Sequence, residues 1–416
     1  MITYKLKPHQ KEGVAYLLKH HYAILGDAMG LGKTLQAIEL IKQVGEKAII
    51  VCPAFLRETW ADEFKKFSDL KTIIAKEYID TEYDVVITSY SSLSKVERFF
   101  GEVNIVVADE VHYLKNLEAK RTDTFHDFLD LYRPSRFIGL SGTAIKNRVP
   151  EFFSLLLLCS YNPHNTSGIK IEDKYASYYS FCYKFCHVKK FKIRGRWVTQ
   201  FEGHKNIEDL KKLLVGKYIR RKASEVLDLP PIIRKDVVLE NEYIDHELLQ
   251  AWNERSNAYA TLKKNSAKIK VKHTIKYAES LMDAGEGPLV IFCDHVEPVQ
   301  EIAETFSHTG RRVGLITGST NMDVRARLIK KFQAGELDLI AATIGAMSVG
   351  VTLTRARNMI FNSLPFVPAD LLQAEKRIHR IGQGESCVIH RIFWGKVDAQ
   401  IGRLITKKLK TLVEVL

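Results

Sequence analysis

Apolar residues along this chain gather into short β-branched runs, and each run ends in a polar cluster. In the first half the runs cover residues 22–25, 48–52, 84–87, 104–108 and 136–140. Between them lie stretches with helical spacing, such as 34–44, where Leu35, Ile38 and Ile41 share a face. Near-continuous apolar strands alternating with helices predict a parallel sheet covered on both sides. Ligands of such a sheet meet the carboxyl ends of its strands. The five runs are followed by GDAMGLGKT, PAF, TSY, DEVH and SGT, so the pattern predicts one edge that collects the reactive groups.

The second half repeats the design, with runs at 289–293, 312–316, 337–342, 358–361 and 387–393. TGST and the segment 373–383 fall among them. The intervening 161–240 is richer in aromatic and charged residues and carries Pro230-Pro231, which predicts an insertion followed by a linker. Residues 241–283 read as helix leading into the second set of strands. The expected organisation is therefore α/β, with a first lobe at 1–160, an insertion and linker at 161–240, and a second lobe at 241–416. A length of 416 residues suits two such cores better than one.

Hydrophobic residues make up 46% of the chain, enough to bury those cores. Lys and Arg number 62 against 49 acidic residues, a net charge of +13 that favours a polyanionic partner, nucleic acid before membrane. There is no unbroken apolar run long enough to span a bilayer and no apolar core of a signal peptide near the start. The scattered cysteines read as reduced thiols of an intracellular protein. Cys182, Cys186 and His187 lack the second pair that a zinc site would need.

Glycines ahead of Lys33-Thr34 let backbone N–H groups close around phosphate oxygens. Lys33 can then reach the β and γ phosphates of ATP, and the Thr34 hydroxyl can bind Mg²⁺. The predicted nucleotide contacts are Asp27, Met29, Gly30, Leu31, Gly32, Lys33 and Thr34, with Asp27 standing where the strict motif has glycine. Asp109 and Glu110 close the fourth run, where one carboxylate can hold Mg²⁺ and its neighbour can orient water. Arg377 and Arg380 stand three apart, which predicts one helical face. That face is either a solvated basic surface or a source of cations for the γ-phosphate. Ser141, Gly142 and Thr143, together with residues 345–354, are small and sit at strand ends, as coupling elements would.

In order along the chain stand KPHQ (7–10), DAMGLGKT (27–34), DEVH (109–112) followed by Lys115-Asn116, LSGTAIKN (140–147), TGST (317–320) and QAEKRIHRIGQ (373–383). With these motifs the chain resembles the SWI/SNF-type DNA translocases of helicase superfamily two. Residues 210–231 and IHRIF (389–393) look most like the branch of annealing helicases that act at stalled forks. The resemblance implies two tandem RecA-like lobes with ATP between them and duplex or forked DNA across them. It also implies that Gln10 reads adenine, that Lys33 and Thr34 hold phosphate and Mg²⁺, that Asp109 and Glu110 act on metal and water, and that Arg377 and Arg380 are arginine fingers. His112, Ser141, Gly142, Thr143, Asn147, Gly350, Gln373 and Gln383 would couple the lobes or touch DNA. Departures are DEVH for the commoner DEAH, Ala144 for proline and Thr352 for asparagine. With no accessory module visible, the chain looks like a bare intracellular motor, cytoplasmic or nucleoid-associated, such as a phage or bacterial genome encodes.

The stretch 189–197 alternates basic and apolar residues about a predicted turn, placing Lys190, Lys192 and Arg194 on one face. It reads equally as a DNA contact or as a sheet edge that lysines protect from aggregation. Lys263, Lys264, Lys268, Lys270 and Lys272 read as a solvated helix face. The leading function is an ATPase stimulated by double-stranded DNA. A strand-separating DNA or RNA helicase and a non-catalytic scaffold are the alternatives.

Overall fold

The computed structural model describes residues 4–75, 82–96, 101–142, 149–159, 171–193, 195–239, 258–347 and 351–415. Two compact units divide the chain, one of residues 1–226 with 410–416 and the other of 227–409.

The first unit is built on a parallel sheet of β1 (Tyr22–Leu25), β2 (Ala48–Cys52), β3 (Thr72–Ile74), β4 (Val85–Ser89), β5 (Ile105–Asp109), β6 (Arg136–Leu140) and β9 (Tyr218–Ile219). Their order across the sheet is β3-β4-β2-β5-β6-β1-β9. β7 (His187–Ile193) and β8 (Arg196–Glu202) form a separate antiparallel hairpin. The second unit carries β10 (Ile232–Leu239), β11 (Leu289–Cys293), β12 (Val313–Ile316), β13 (Leu339–Thr343), β14 (Asn358–Phe361) and β15 (Cys387–Trp394) in the order β10-β15-β14-β11-β13-β12. All pairings in both large sheets are parallel.

The unbroken apolar runs follow from burial on both faces. In β2, Ile49 and Val51 join one core while Ala48, Ile50 and Cys52 join the other. β11 divides in the same way, Val290 and Phe292 against Leu289, Ile291 and Cys293. Period-two alternation thus feeds two apolar layers, so no polar position interrupts the strand. The α/β reading with two parallel sheets is borne out, and the ten expected strands are present within two residues of their expected ends.

Three strands of the large sheets escape the pattern: β3, β9 and β10. β9 is only two residues long. β10 is an edge strand whose central Ile233, Arg234, Lys235 and Asp236 are all exposed, so it lacks the apolar signature. Two other expectations need correction. The helix entering 373–383 ends at Glu375, and Arg377 and Arg380 lie in the turns that follow. Beyond the helix end the bonds become those of turns, Arg377 N–H donating to the Ala374 carbonyl (3.0 Å), and the Arg377 carbonyl accepts from Leu353 N–H (2.9 Å). Lys263 and Lys270 are buried rather than solvated: Lys263 pairs with Asp294, and Lys270 with Asp398 at 2.7 Å. Lys264 and Lys268 do face solvent, beside Glu297. Among the described residues no helix is long and apolar enough to cross a membrane.

Candidate active site

β1 ends at Leu25, and a helix over Lys33–Val44 begins after the glycine-rich loop. Gly32 closes that loop with φ +74°, a left-handed conformation that favours glycine. A Cβ there would also stand 2.4 Å from Nε2 of Gln10. The Lys33 ammonium donates to the Asp27 carbonyl at 2.8 Å, which folds the lysine over its own loop. Burial lowers the affinity of this lysine for its proton, and the nearby Glu110, Asp109 and Asp27 oppose that effect.

Asp27 contributes its carbonyl to this arrangement, while its carboxylate is turned elsewhere. One oxygen accepts from Nε of Arg221 (2.9 Å); the other accepts from Nη2 of Arg221 (2.5 Å) and Nε2 of Gln36 (3.1 Å). Gln10 is likewise engaged at both ends of its amide. It accepts from Lys7 N–H (2.9 Å) and donates to the Leu31 carbonyl (3.2 Å), which also receives the His9 ring nitrogen. Leu31 is fully buried, whereas Met29, Gly30, Gly32, Lys33 and Thr34 remain partly open to solvent.

Asp109 is the last residue of β5 and Glu110 turns sharply away, with φ 50° and ψ 51°. Such a conformation is uncommon for a residue with a side chain and collects at functional sites. Each oxygen of Asp109 accepts one bond, from the Trp60 indole (2.8 Å) and from Glu110 N–H (2.9 Å). Tyr90 donates to the Asp109 carbonyl at 2.8 Å. Burial, with Glu110 adding like charge, raises the Asp109 carboxyl to about 7 against the opposing pull of Trp60 and Lys33. A carboxylate so placed is held in need of a cation.

Mg²⁺ fits that need. Among the described residues no group of three His, Cys, Asp or Glu side chains could cage a metal unaided. Mg²⁺ instead takes one or two protein oxygens and completes its shell with water and substrate phosphates. Asp109 and the Thr34 hydroxyl are the candidate protein ligands.

The next strand end is tied to this centre. His112 Nδ1 lies 3.1 Å from a Glu110 oxygen and 3.2 Å from the buried Ser141 hydroxyl. Gly142 approaches so closely that a Cβ would stand 2.7 Å from Met29 Cγ and 3.4 Å from Lys33 Nζ. Loop, acidic pair and Ser141-Gly142 thus meet at one sheet edge. Trp60, Tyr90, Gln36 and Arg221 also serve this edge and escape the motif reading, since each acts through tertiary contact rather than spacing. Thr143, Asn147, Arg194 and Gly350 lie outside the described residues.

In the second unit, Arg377 and Arg380 are buried or nearly so, and both donate to the Val351 carbonyl, at 3.4 and 3.3 Å. Gln373 is buried, and Gln383 donates to the carbonyls of Thr354, Ala356 and Ile378. Glu375 is paired with Arg234 of β10 at 2.6 Å. The 373–383 segment is therefore folded around 351–356, with its two arginines brought to one carbonyl.

The β7–β8 hairpin pairs Lys190 with Thr199 and Lys192 with Trp197. Lys190, Lys192 and Trp197 share a face, while Lys189 and Arg196 take the other. Trp197 is 69% exposed, and the Lys192 ammonium sits 5.0 Å from its ring centre. A cleft of 690 Å³ opens between the hairpin and residues 115–118, and none of the phosphate-loop residues lines it.

A parallel sheet with a glycine-rich phosphate loop after its first strand and an acidic pair at the end of β5, followed by a second parallel sheet bearing paired arginines, defines a two-lobed ATPase motor. The chain belongs to the SNF2-related family. The SNF2-related domain model matches residues 9–286, and the helicase conserved C-terminal domain model matches 270–382. This bears out the resemblance read from the motifs. The chain is 27% identical over 435 residues to the "SWI/SNF-related matrix-associated actin-dependent regulator of chromatin subfamily A-like protein 1" of Xenopus tropicalis, covering 98% of this chain and 44% of that protein. It is 28% identical over 444 residues to the "DNA annealing helicase and endonuclease ZRANB3" of Mus musculus, covering 97% and 40%. The chain thus spans less than half the length of these curated relatives. A solved structure, "Sulfolobus solfataricus SWI2/SNF2 ATPase core in complex with dsDNA", aligns with 100% of this chain and 93% of its own at 22% identity, with a TM-score of 0.47.

Proposed function

We propose that this chain is a DNA-dependent ATPase that hydrolyses ATP to ADP and phosphate, and that it uses the cycle to translocate on duplex DNA. The remodelling of DNA or protein–DNA complexes, including forks and strand annealing, is the work this motor would do. The observation that carries the reading is the meeting of Lys33, Asp109 and Glu110 at the carboxyl edge of one sheet, with Ser141-Gly142 against them.

In this reading the loop backbone and Lys33 bind the β and γ phosphates. Bound Mg²⁺ would neutralise charge on the transferring phosphoryl group. Glu110 orients the attacking water and takes its proton, and His112 fixes the carboxylate that does so. Arg377 and Arg380 bring cations to the γ-phosphate from the second lobe, so that turnover depends on the lobes closing. Gln10 would exchange one of its present bonds to read adenine. We read the segment 161–240 as an insertion and linker between the cores of the lobes 1–160 and 241–416, from which β9 completes the first sheet and β10 edges the second, and the motor works inside the cell.

DNA as partner is supported by the charge of +13 and by the hairpin face of Lys190, Lys192 and Trp197. The relative from Mus musculus is named as a DNA annealing helicase. Backbone contacts of this kind make binding sequence-blind and sensitive to salt. The test is the ATPase rate without nucleic acid and with single-stranded DNA, duplex DNA, forked DNA and RNA. Duplex or forked DNA is expected to stimulate turnover most. Stimulation by RNA alone would overturn the DNA assignment, and no turnover under any condition would point to a scaffold.

A further inference from the structure

The chain returns from the hairpin to run alongside the phosphate loop. β9 pairs in register with β1, Tyr218 opposite Ile24 and Ile219 opposite Leu25. The ladder continues beyond both strands, with Gly26 N–H donating to the Ile219 carbonyl (2.7 Å) and Ala28 N–H to the Arg221 carbonyl (3.0 Å). Arg220 is bracketed by these two bonds, so its backbone is fixed beside the first residues of the phosphate loop.

Alternation of an extended chain sends Arg221 one way and Arg220 the other, with Tyr218. Arg221 meets Asp27, Gln36 and the His9 carbonyl. On the Arg220 side, the Tyr218 ring covers Gly26 and meets Phe152 edge-on at 5.4 Å. Phe152 lies on the helix over Pro150–Cys159, in the segment that follows Ser141-Gly142. Arg220 finds no such partner. Its Nε and Nη1 are shut off from solvent and make no hydrogen bond.

Buried donors on a guanidinium are costly to leave unmade, and native structures seldom keep them without a ligand or ion to accept them. The carboxylates around Lys33 are engaged elsewhere: Asp27 with Arg221 and Gln36, Asp109 with Trp60 and the Glu110 amide, and Glu110 with His112. A guanidinium with open donors, its backbone fixed beside the loop that carries Lys33, makes a site for a polyvalent anion. We propose that Arg220 binds the terminal phosphate of ATP, in the same lobe as Lys33 and in addition to any arginine from the second lobe. This rests on the reading of the phosphate loop as an ATP site and adds a recognition element that separates ATP from ADP.

The test compares the full chain with Arg220→Met, which keeps the length of the side chain and removes the charge, and with Arg220→Lys. Binding of Mg²⁺ with ATPγS and of Mg²⁺ with ADP is measured by titration, and thermal melting is followed without nucleotide. Arg220→Met is expected to weaken ATPγS about 10- to 100-fold, the worth of charged hydrogen bonds, and to leave ADP within a few-fold. Arg220→Lys is expected to recover part of the loss. Melting without nucleotide should be unchanged or higher, because an unpaired buried cation has been removed. Equal loss for both nucleotides, loss for neither, or a lower melting temperature without nucleotide would overturn the assignment. Failure of the unaltered chain to bind either nucleotide would instead overturn the ATP-site reading.

Discussion

The carboxylate of Asp27, fully buried, is gripped by the guanidinium of Arg221 from 194 residues further along the chain, at 2.5 and 2.9 Å. The Arg221 backbone N–H also donates to it, at 3.2 Å. Asp27 stands where the strict phosphate-loop motif has glycine, and this pair gives a physical reason for the exchange. The aspartate clamps the root of the loop to the strand that comes back beside it. Removing one partner of a buried pair leaves the other charge uncompensated, at about 3–5 kcal/mol. Arg221→Ala should therefore melt far below the unaltered chain. Asp27→Asn combined with Arg221→Ala should recover part of the loss in a double-mutant cycle. Additive losses would show that the pair is not coupled.

Asp109 makes the stability of the nucleotide-free chain depend on pH. Its carboxyl is raised from the ordinary value to about 7, so the folded state holds a proton that the unfolded state has released. Stability from this group is then fullest below the unfolded-state value of about 4 and falls as pH rises from there to about 7. Binding of Mg²⁺ with ADP restores what ionisation removes. The melting temperature of the free chain should drop between pH 5 and pH 8, and the gain on adding Mg²⁺ with ADP should be larger at pH 8. Asp109→Asn should flatten the pH dependence while abolishing turnover. Parallel melting profiles for the two proteins would discount Asp109 as the cause.

Much of this architecture was legible because parallel strands buried on both faces cannot hide their composition. β2, β5, β11 and β13 read as strands for that reason, and their polar ends named the loop, DEVH and Ser141-Gly142. What stayed hidden has little local signal. β9 is two residues held by its neighbour, and β10 is an edge strand with exposed charge. Trp60 and Tyr90 reach Asp109 from separate segments, and nothing in their spacing announces it. Arg377 and Arg380 stand at the spacing of one helical face, yet they meet at the Val351 carbonyl through turns. Lys263 and Lys270 looked solvated because the sequence does not show Asp294 and Asp398 waiting for them.

The hairpin yields an expectation about salt. If Lys190 and Lys192 neutralise phosphates, each lost contact lowers the slope of log K against log salt by about 0.9. The double variant with both changed to Ala should then lower the duplex-binding slope by about 2, measured between low and moderate salt. Trp197→Ala should chiefly weaken DNA with unpaired bases, since stacking on an aromatic ring is worth about 1–3 kcal/mol per base. An unchanged slope with increased self-association would identify the lysines as guards of a sheet edge.

Arg380 offers the clearest separation of chemistry from fold in the second lobe. Its guanidinium shares the Val351 carbonyl with Arg377, so Arg380→Ala leaves that carbonyl with a donor. The segment around it is held independently by Gln383 and by the Glu375–Arg234 pair. Loss of Arg380 should therefore cost little stability. An arginine set against the γ-phosphate contributes about 10³-fold or more to phosphoryl transfer, because it meets charge that develops only as the bond breaks. Turnover stimulated by duplex DNA is expected to fall by that order, with ATPγS affinity kept within a few-fold. Stopped-flow nucleotide binding alongside steady-state ATPase assays would check it. A fall in affinity that matches the fall in rate would mean that Arg380 acts on the bound ground state, and a fall in melting temperature that it acts on the fold.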